Sequence, residues 1–210
     1  TYENVGTNQY VVTLFLYGDC GNVGLPAANV SLRVRNGCSG TVAGQYPLVP
    51  QLGSIMSSPQ SCLPQCYAPG VTYEAMQYRT APITIQPGQW KLSTSMCCRP
   101  TTTNLVGEWD YYFEATLNNQ LMVNGQPVAV QSSSPQLSVQ DLPAPFVPVM
   151  QFTTIGFNAT DPDNTAASPD TDSLAYSLVA PLEECNVPVP YKPYPYLLIC
   201  GLPAPGSTPC

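Results

Sequence analysis

The sequence predicts an all-β chain: an immunoglobulin-like antiparallel β-sandwich, stapled by disulfides and ending in an extended, proline-rich C-terminal tail. Three observations carry this expectation. Apolar residues recur with a period of two, and helical stripes are absent. Turn-forming dipeptides separate the alternating runs. The composition is that of an oxidising exterior, with nine cysteines, 24 prolines and 13 tyrosines but only 9% charged residues, whereas cytosolic thiols are kept reduced. At 210 residues the chain is long enough to bury a core as one large all-β domain or two small ones.

The elements follow in chain order. Tyr10-Val11-Val12-Thr13-Leu14-Phe15-Leu16-Tyr17 is apolar on both faces, as in a strand covered on both sides. Val30, Leu32 and Val34 alternate with Ser31, Arg33 and Arg35, which predicts a strand with one wet face. The same rhythm marks strands at Trp90-Leu92-Thr94-Met96, Tyr111-Phe113-Ala115-Leu117 and Leu174-Tyr176-Leu178. Asn36-Gly37, Pro87-Gly88 and Asn124-Gly125 supply the turns between them. Residues 1–131 are expected to form the main sandwich module. The polar run Gln131-Ser132-Ser133-Ser134-Pro135 marks a boundary, and residues 132–180 form a second, incomplete immunoglobulin- or cadherin-like module. In the tail, residues 181–210, proline removes ladder donors, so the chain should run extended rather than as sheet. Within it, Tyr196-Leu197-Leu198-Ile199-Cys200 is a short apolar run of strand length.

The cysteines sort by spacing. Cys20 is expected to bond Cys38, Cys62 and Cys66 to bond the Cys97-Cys98 pair, and Cys185 to bond Cys200. Adjacent cysteines rarely bond each other, because the peptide between them must distort. A zinc site of Cys62, Cys66, Cys97 and Cys98 is the less favoured reading, as structural zinc prefers CxxC knuckles and reduced compartments. Cys210 is left over, either as an intermolecular link or as a terminal thiol. Each bridge typically adds about 2 to 4 kcal/mol, a durability suited to the outside of a cell. Asp161-Pro162-Asp163 and Asp170-Thr171-Asp172 gather four carboxylates just before a predicted strand. Calcium takes this kind of oxygen cluster, and Asp161, Asp163, Asp170 and Asp172 are its candidate ligands; a solvated acidic loop is the alternative.

Several strings together resemble a known module. They are Asn8-Gln9-Tyr10 through Leu16-Tyr17-Gly18-Asp19-Cys20, then Cys97-Cys98-Arg99, Tyr112-Phe113-Glu114-Ala115-Thr116-Leu117-Asn118-Asn119 and Ser133-Ser134-Pro135-Gln136. Asp161-Pro162-Asp163 and Asp172-Ser173-Leu174-Ala175-Tyr176-Ser177-Leu178 complete the series. In this order they resemble a repeated β-sandwich module of large secreted cell-surface proteins of gliding-type Bacteroidetes. Gly18 stands where that module carries arginine, Pro100 where asparagine follows the arginine, and its compact acidic motif is here split by an insertion. The resemblance implies export by a dedicated outer-membrane system and adhesive or structural work at the surface, without a catalytic activity. It also implies that Ser173, in Asp172-Ser173-Leu174, is an O-glycosylation acceptor. Asn29-Val30-Ser31 and Asn158-Ala159-Thr160 are N-linked sequons, which places Asn29 and Asn158 beside Ser173 as glycosylation candidates.

The same composition excludes function classes. With six basic residues and a net charge of −7, the chain lacks the clustered cations that bind nucleic acid. No apolar run reaches the roughly 20 residues of a membrane-spanning helix. Thr1 to Gly6 show no signal-peptide pattern, so the chain is expected to be an already processed product. Ser-His and Cys-His nucleophiles are impossible without histidine, and Lys91 and Lys192 sit in ordinary settings. Glu108, Asp110 and Glu114 as a glycosidase pair read equally well as an exposed strand face. The sequence therefore predicts a secreted, non-catalytic structural or adhesive cell-surface protein. It self-associates, or joins other surface proteins, as the subunit of a fibre built by strand exchange, with Thr1–Val5 or Tyr196–Cys200 as donor. The alternative is an extracellular carbohydrate-binding module that contacts glycans through Trp109, placed between Glu108 and Asp110; Trp90 belongs to an apolar face and is expected inside.

Overall fold

A computed structural model describes residues 1–19, 25–26, 28–51, 73–99, 105–137, 158–163, 173–177 and 179–192. Among them there is no helix, and fourteen strands follow in order from β1 (Tyr2–Gly6) to β14 (Val187–Pro188). With β2 as Gln9–Asp19, β3 as Val30–Arg35, β4 as Val42–Pro50, β5 as Tyr73–Arg79, β7 as Gln89–Met96 and β8 as Tyr111–Asn118, one eight-stranded sheet has the order β1-β2-β5-β4-β3-β7-β8, with β6 (Ile83–Thr84) also on β2. Three two-stranded ribbons accompany it: β9 (Gln120–Val123) with β10 (Gln126–Ala129), β11 (Gln136–Leu137) with β12 (Ala159–Thr160), and β13 (Leu182–Glu184) with β14. The ribbons and the pairings of β1 through β6 are antiparallel. The chain divides into two compact units, Thr1–Leu92 with Ala115–Ser177, and Ser93–Glu114 with Leu178–Cys210. These are drawn from separated stretches, so β7 (Gln89–Met96) and β8 (Tyr111–Asn118) each contribute to both, and residues 1–131 fall in both units.

The local signals become the expected elements where they are strongest. β3 is Val30–Arg35, with Val30, Leu32 and Val34 buried and the alternate residues wetter. β2 is covered on both faces at its start, where Tyr10, Val11, Val12 and Thr13 are all buried. Its first half pairs with β1 and β6, and residues 13–19 pair with β5 (Tyr73–Arg79). At the break between β5 and β6, Thr80 substitutes for a strand. Its N–H donates to the Val12 carbonyl at 3.0 Å, and its hydroxyl accepts from the Val12 N–H at 3.0 Å. Register shifts place one extra residue in β1, Val5 between Asn4 and Gly6, and one in β4, Ala43 opposite the Val34-Arg35 step of β3; such bulges bend the strand that carries them. In the first unit the core gathers Tyr2, Tyr10, Ile83, Ile85 and Leu117, with Tyr2 packed edge-on against Tyr10 at 6.2 Å.

Three expectations are corrected. Residues 173–177 are exposed and irregular, not a strand; Tyr176 is 60% exposed, and its hydroxyl accepts a hydrogen bond from the Ala159 N–H. An alternating pattern needs a partner strand to become sheet, and among the described residues these five have none. Residues 182–188 of the tail form a hairpin rather than a purely extended run, turning at Asn186 with φ of 60°. Asparagine tolerates this left-handed conformation, and the single proline of the segment, Pro188, lies outside the turn. Thr1–Val5 is not a free donor strand: β1 pairs with β2 of its own chain, with Tyr2 buried. Tyr196–Cys200 lies outside the described residues.

Candidate functional site

The outer edge of β1 is closed by the polar run that the sequence marks as a boundary. Ser134 Oγ accepts from the Tyr2 N–H at 2.8 Å, the Ser134 N–H donates to the Tyr2 carbonyl at 2.8 Å, and Ser133 Oγ accepts from the Asn4 N–H at 3.1 Å. Serine hydroxyls here take the place of a neighbouring strand, which removes a template for unwanted pairing. The Ser133 N–H in turn donates to Asp163 Oδ2 at 2.5 Å, and the Asp163 N–H donates to Asp161 Oδ1 at 2.9 Å. Asp161 and Asp163 thus brace the serines that cap β1. Both are half-buried, and Asp170 and Asp172 lie outside the described residues. Two carboxylates, each already accepting a main-chain N–H, are not by themselves a calcium coordination set.

The buried Asn119 ties the end of β8 to the turn before β7. Its Oδ1 accepts from the Gly88 N–H at 2.9 Å, its Nδ2 donates to the Ile85 carbonyl at 3.2 Å, and its own N–H donates to the Gly88 carbonyl at 3.2 Å. The signal available in the sequence was a polar residue directly after an apolar strand, which reads equally well as a loop. From Asn119 the chain enters the β9–β10 hairpin, whose Asn124-Gly125 turn has φ of 51° and 77°, the two positive values a tight hairpin turn of this kind requires. Every residue of the hairpin strands except Gln120 is exposed, among them Leu121, Met122, Val123 and Val128.

In the second unit Arg99 is the organising side chain. Its Nε donates to the Asp110 carbonyl at 3.0 Å, its Nη2 to the Leu182 carbonyl at 3.1 Å, and its guanidinium lies 4.7 Å from the centre of the Tyr111 ring. Tyr111 stacks on Phe113 with centroids 6.0 Å apart. Trp109 is half-buried and its indole N–H donates to the Val106 carbonyl. Trp90 is half-buried as well, with its N–H donated to the Gln86 carbonyl at 2.8 Å, so the expected contrast of a buried Trp90 and an exposed Trp109 does not hold. Each indole finds its acceptor a few residues earlier in the chain, which fixes the orientation of a half-buried ring.

Cys97 and Cys98 are bonded to each other across a cis peptide, where separate partners were expected. Cys38 and Cys185 are also disulfide-bonded, while Cys20, Cys62, Cys66, Cys200 and Cys210 lie outside the described residues. The ligand atoms of Cys97, Cys98 and Asp110 lie within 4.8 Å of one another, but sulfurs bonded to each other have no thiolate to offer a metal. The glycosylation candidates Asn29, Asn158 and Ser173 are all exposed, and Asn29 borders a shallow groove with Tyr46 and Pro47. Among the described residues no helix is long and apolar enough to cross a membrane. Comparison of the chain with family models, curated proteins and solved structures returned no match.

Proposed function

We propose that the chain is a non-catalytic structural and adhesive module of an extracellular surface: a disulfide-stapled, immunoglobulin-like β scaffold that associates with copies of itself and with other surface proteins. The single observation that carries the reading is a β scaffold, without helix among the described residues, that caps one sheet edge with serines while leaving an uncharged, apolar hairpin exposed. Disulfide-bonded Cys38, Cys97, Cys98 and Cys185 support an oxidising location. The absence of histidine, with Glu108, Asp110 and Glu114 all exposed, supports a role without turnover. In this reading Asn29, Asn158 and Ser173 carry glycans. Calcium held by Asp161, Asp163, Asp170 and Asp172 stiffens the loop that braces the β1 cap. A C-terminal segment, not the N-terminal strand, is the donor in any strand exchange, because β1 is consumed within its own sheet.

Glycan binding through Trp109 is the less favoured alternative. A sugar platform needs an open aromatic face, whereas Trp109 is half-buried and the Tyr111 ring already lies against Arg99. Negative-stain microscopy and analytical ultracentrifugation of the full chain decide between them. Ordered assemblies or discrete oligomers at micromolar concentration are expected. Uniform monomers at every concentration, together with saturable binding to a glycan array, reject the structural reading.

A further inference from the structure

We infer that the outer edge of β9 is a symmetric pairing edge for a second copy of this chain, forming a four-stranded β10-β9-β9′-β10′ sheet. This deepens the self-association proposed above and rests on it. The Val130 N–H donates to the Asn119 carbonyl at 3.1 Å, so these two residues form a hydrogen-bonded pair at the root of the hairpin. Such pairs alternate along an antiparallel ladder. With Leu121 opposite Val128 and Val123 opposite Gln126, the hairpin closes its bonds at those pairs and turns the main-chain groups of Gln120, Met122, Pro127 and Ala129 outward.

The two outer edges then differ. On β10, Pro127 has no N–H and its ring occupies the edge, which blocks pairing there. On β9, Gln120 and Met122 present complete N–H and C=O groups, and among the described residues no strand pairs with them. A twofold axis at Leu121 sets Gln120 opposite Met122′ and Met122 opposite Gln120′, for four new main-chain bonds. It also aligns Val128, Leu121, Leu121′ and Val128′ as one apolar stripe across the joined sheet.

Charge selects a second copy as the occupant. The chain carries −7 overall, so most faces of two copies repel, yet Gln120–Ala129 contains no charged residue. A lone two-stranded hairpin is marginal in water, and this one leaves Leu121 57% and Met122 59% exposed; four strands sharing an apolar face are stable. The pairing is isologous and closes as a dimer, because Pro127 ends the sheet on both sides.

Sedimentation equilibrium of the full chain, with hydrogen exchange of the Gln120 and Met122 amides, tests this. Wild type is expected to dimerise, with both amides more protected as concentration rises. Met122→Pro removes one outward N–H per copy without touching a bond inside the hairpin, and should weaken dimerisation about 30-fold, the factor carried by two lost main-chain bonds. Leu121→Lys sets like charges across the axis and should weaken it as well, while Pro127→Thr should extend the dimer into larger assemblies. If either weakening variant loses its near-ultraviolet dichroism, the wild-type exchange data decide. Assemblies unchanged by Met122→Pro and Leu121→Lys in folded protein overturn the β9 edge but leave self-association standing. A wild type that is monomeric throughout sinks both. Binding of monomers to phosphatidylcholine vesicles through the hairpin, without dimers, also overturns the proposal.

Discussion

Replacing Asn119 by alanine tests how the exposed hairpin is attached to the sheet. The side chain is fully buried, and both of its polar ends are used, on the Gly88 N–H at 2.9 Å and the Ile85 carbonyl at 3.2 Å. Alanine leaves both main-chain groups buried without partners, and each such group costs about 1 to 3 kcal/mol. The small cavity adds to this and water entry subtracts, so the expected loss is about 2 to 5 kcal/mol, or roughly 5 to 15 °C in melting temperature. The exposed neighbour Asn118→Ala should stay within about 0.5 kcal/mol. Asn119→Asp keeps the acceptor for Gly88 but points a carboxylate oxygen at the Ile85 carbonyl. Burial and that carbonyl raise its pKa in the folded state above the unfolded value of about 3.9, so its penalty grows above that pH and shrinks in acid. Because the chain has two units, the assay should read the first one directly, by exchange of the Gly88 and Val130 amides during chemical denaturation. A loss below about 0.5 kcal/mol for Asn119→Ala, with those amides still protected, refutes the reasoning.

The edge cap gives a second prediction: Ser134→Ala strips the acceptor from the buried Tyr2 N–H and should cost about 1 to 3 kcal/mol, with faster exchange at Tyr2; unchanged exchange there contradicts the cap. Tyr2 also sets an alkaline limit. Its hydroxyl donates to the Thr116 carbonyl at 3.2 Å. Burial chiefly raises its pKa, a hydrogen bond with Ser132 opposes this, and Tyr10 and Asp163 add to the rise. The stability tied to the neutral phenol is present in full below about pH 10 and is lost as pH rises through the folded value. Tyr2→Phe should therefore flatten the decline in melting temperature above pH 10, and an identical slope in both proteins rejects the assignment. If calcium joins Asp161 and Asp163 to Asp170 and Asp172, millimolar calcium should raise the melting temperature and Asp163→Asn should abolish the rise; equal melting curves with calcium and with chelator remove calcium from the proposal.

Elements whose signal lies within a few residues were legible in the chain itself. Val30–Arg35 alternates and folds as β3, and Asn124-Gly125 makes its turn, because pleat period and positive φ are properties of the local backbone. Leu174 and Tyr176 alternate just as well and lie exposed outside any strand, since alternation states what a strand buries but supplies no partner. The candidate sites divide the same way. Asp161 and Asp163 stood out as paired carboxylates, but their bonds run to Ser133 and within their own turn. Ser134, in a run that reads as a boundary, and Asn119, a polar residue after an apolar strand, carried only ambiguous signals, because a polar residue reads as surface until the main-chain groups it satisfies are known.

Composition and period alone therefore determined that this protein is all-β, rich in turns and cross-linked by sulfur, because cysteine content, a two-residue rhythm and turn dipeptides act through the backbone nearest to them. Only the tertiary structure decided which edges are closed and which are open. Ser134 reaches Tyr2 across 132 residues, while Pro127 and Met122 oppose each other in one hairpin and present opposite edges. Hydrogen bonds at an edge depend on which strand lies beside it, and that neighbour is chosen by packing far away in the chain.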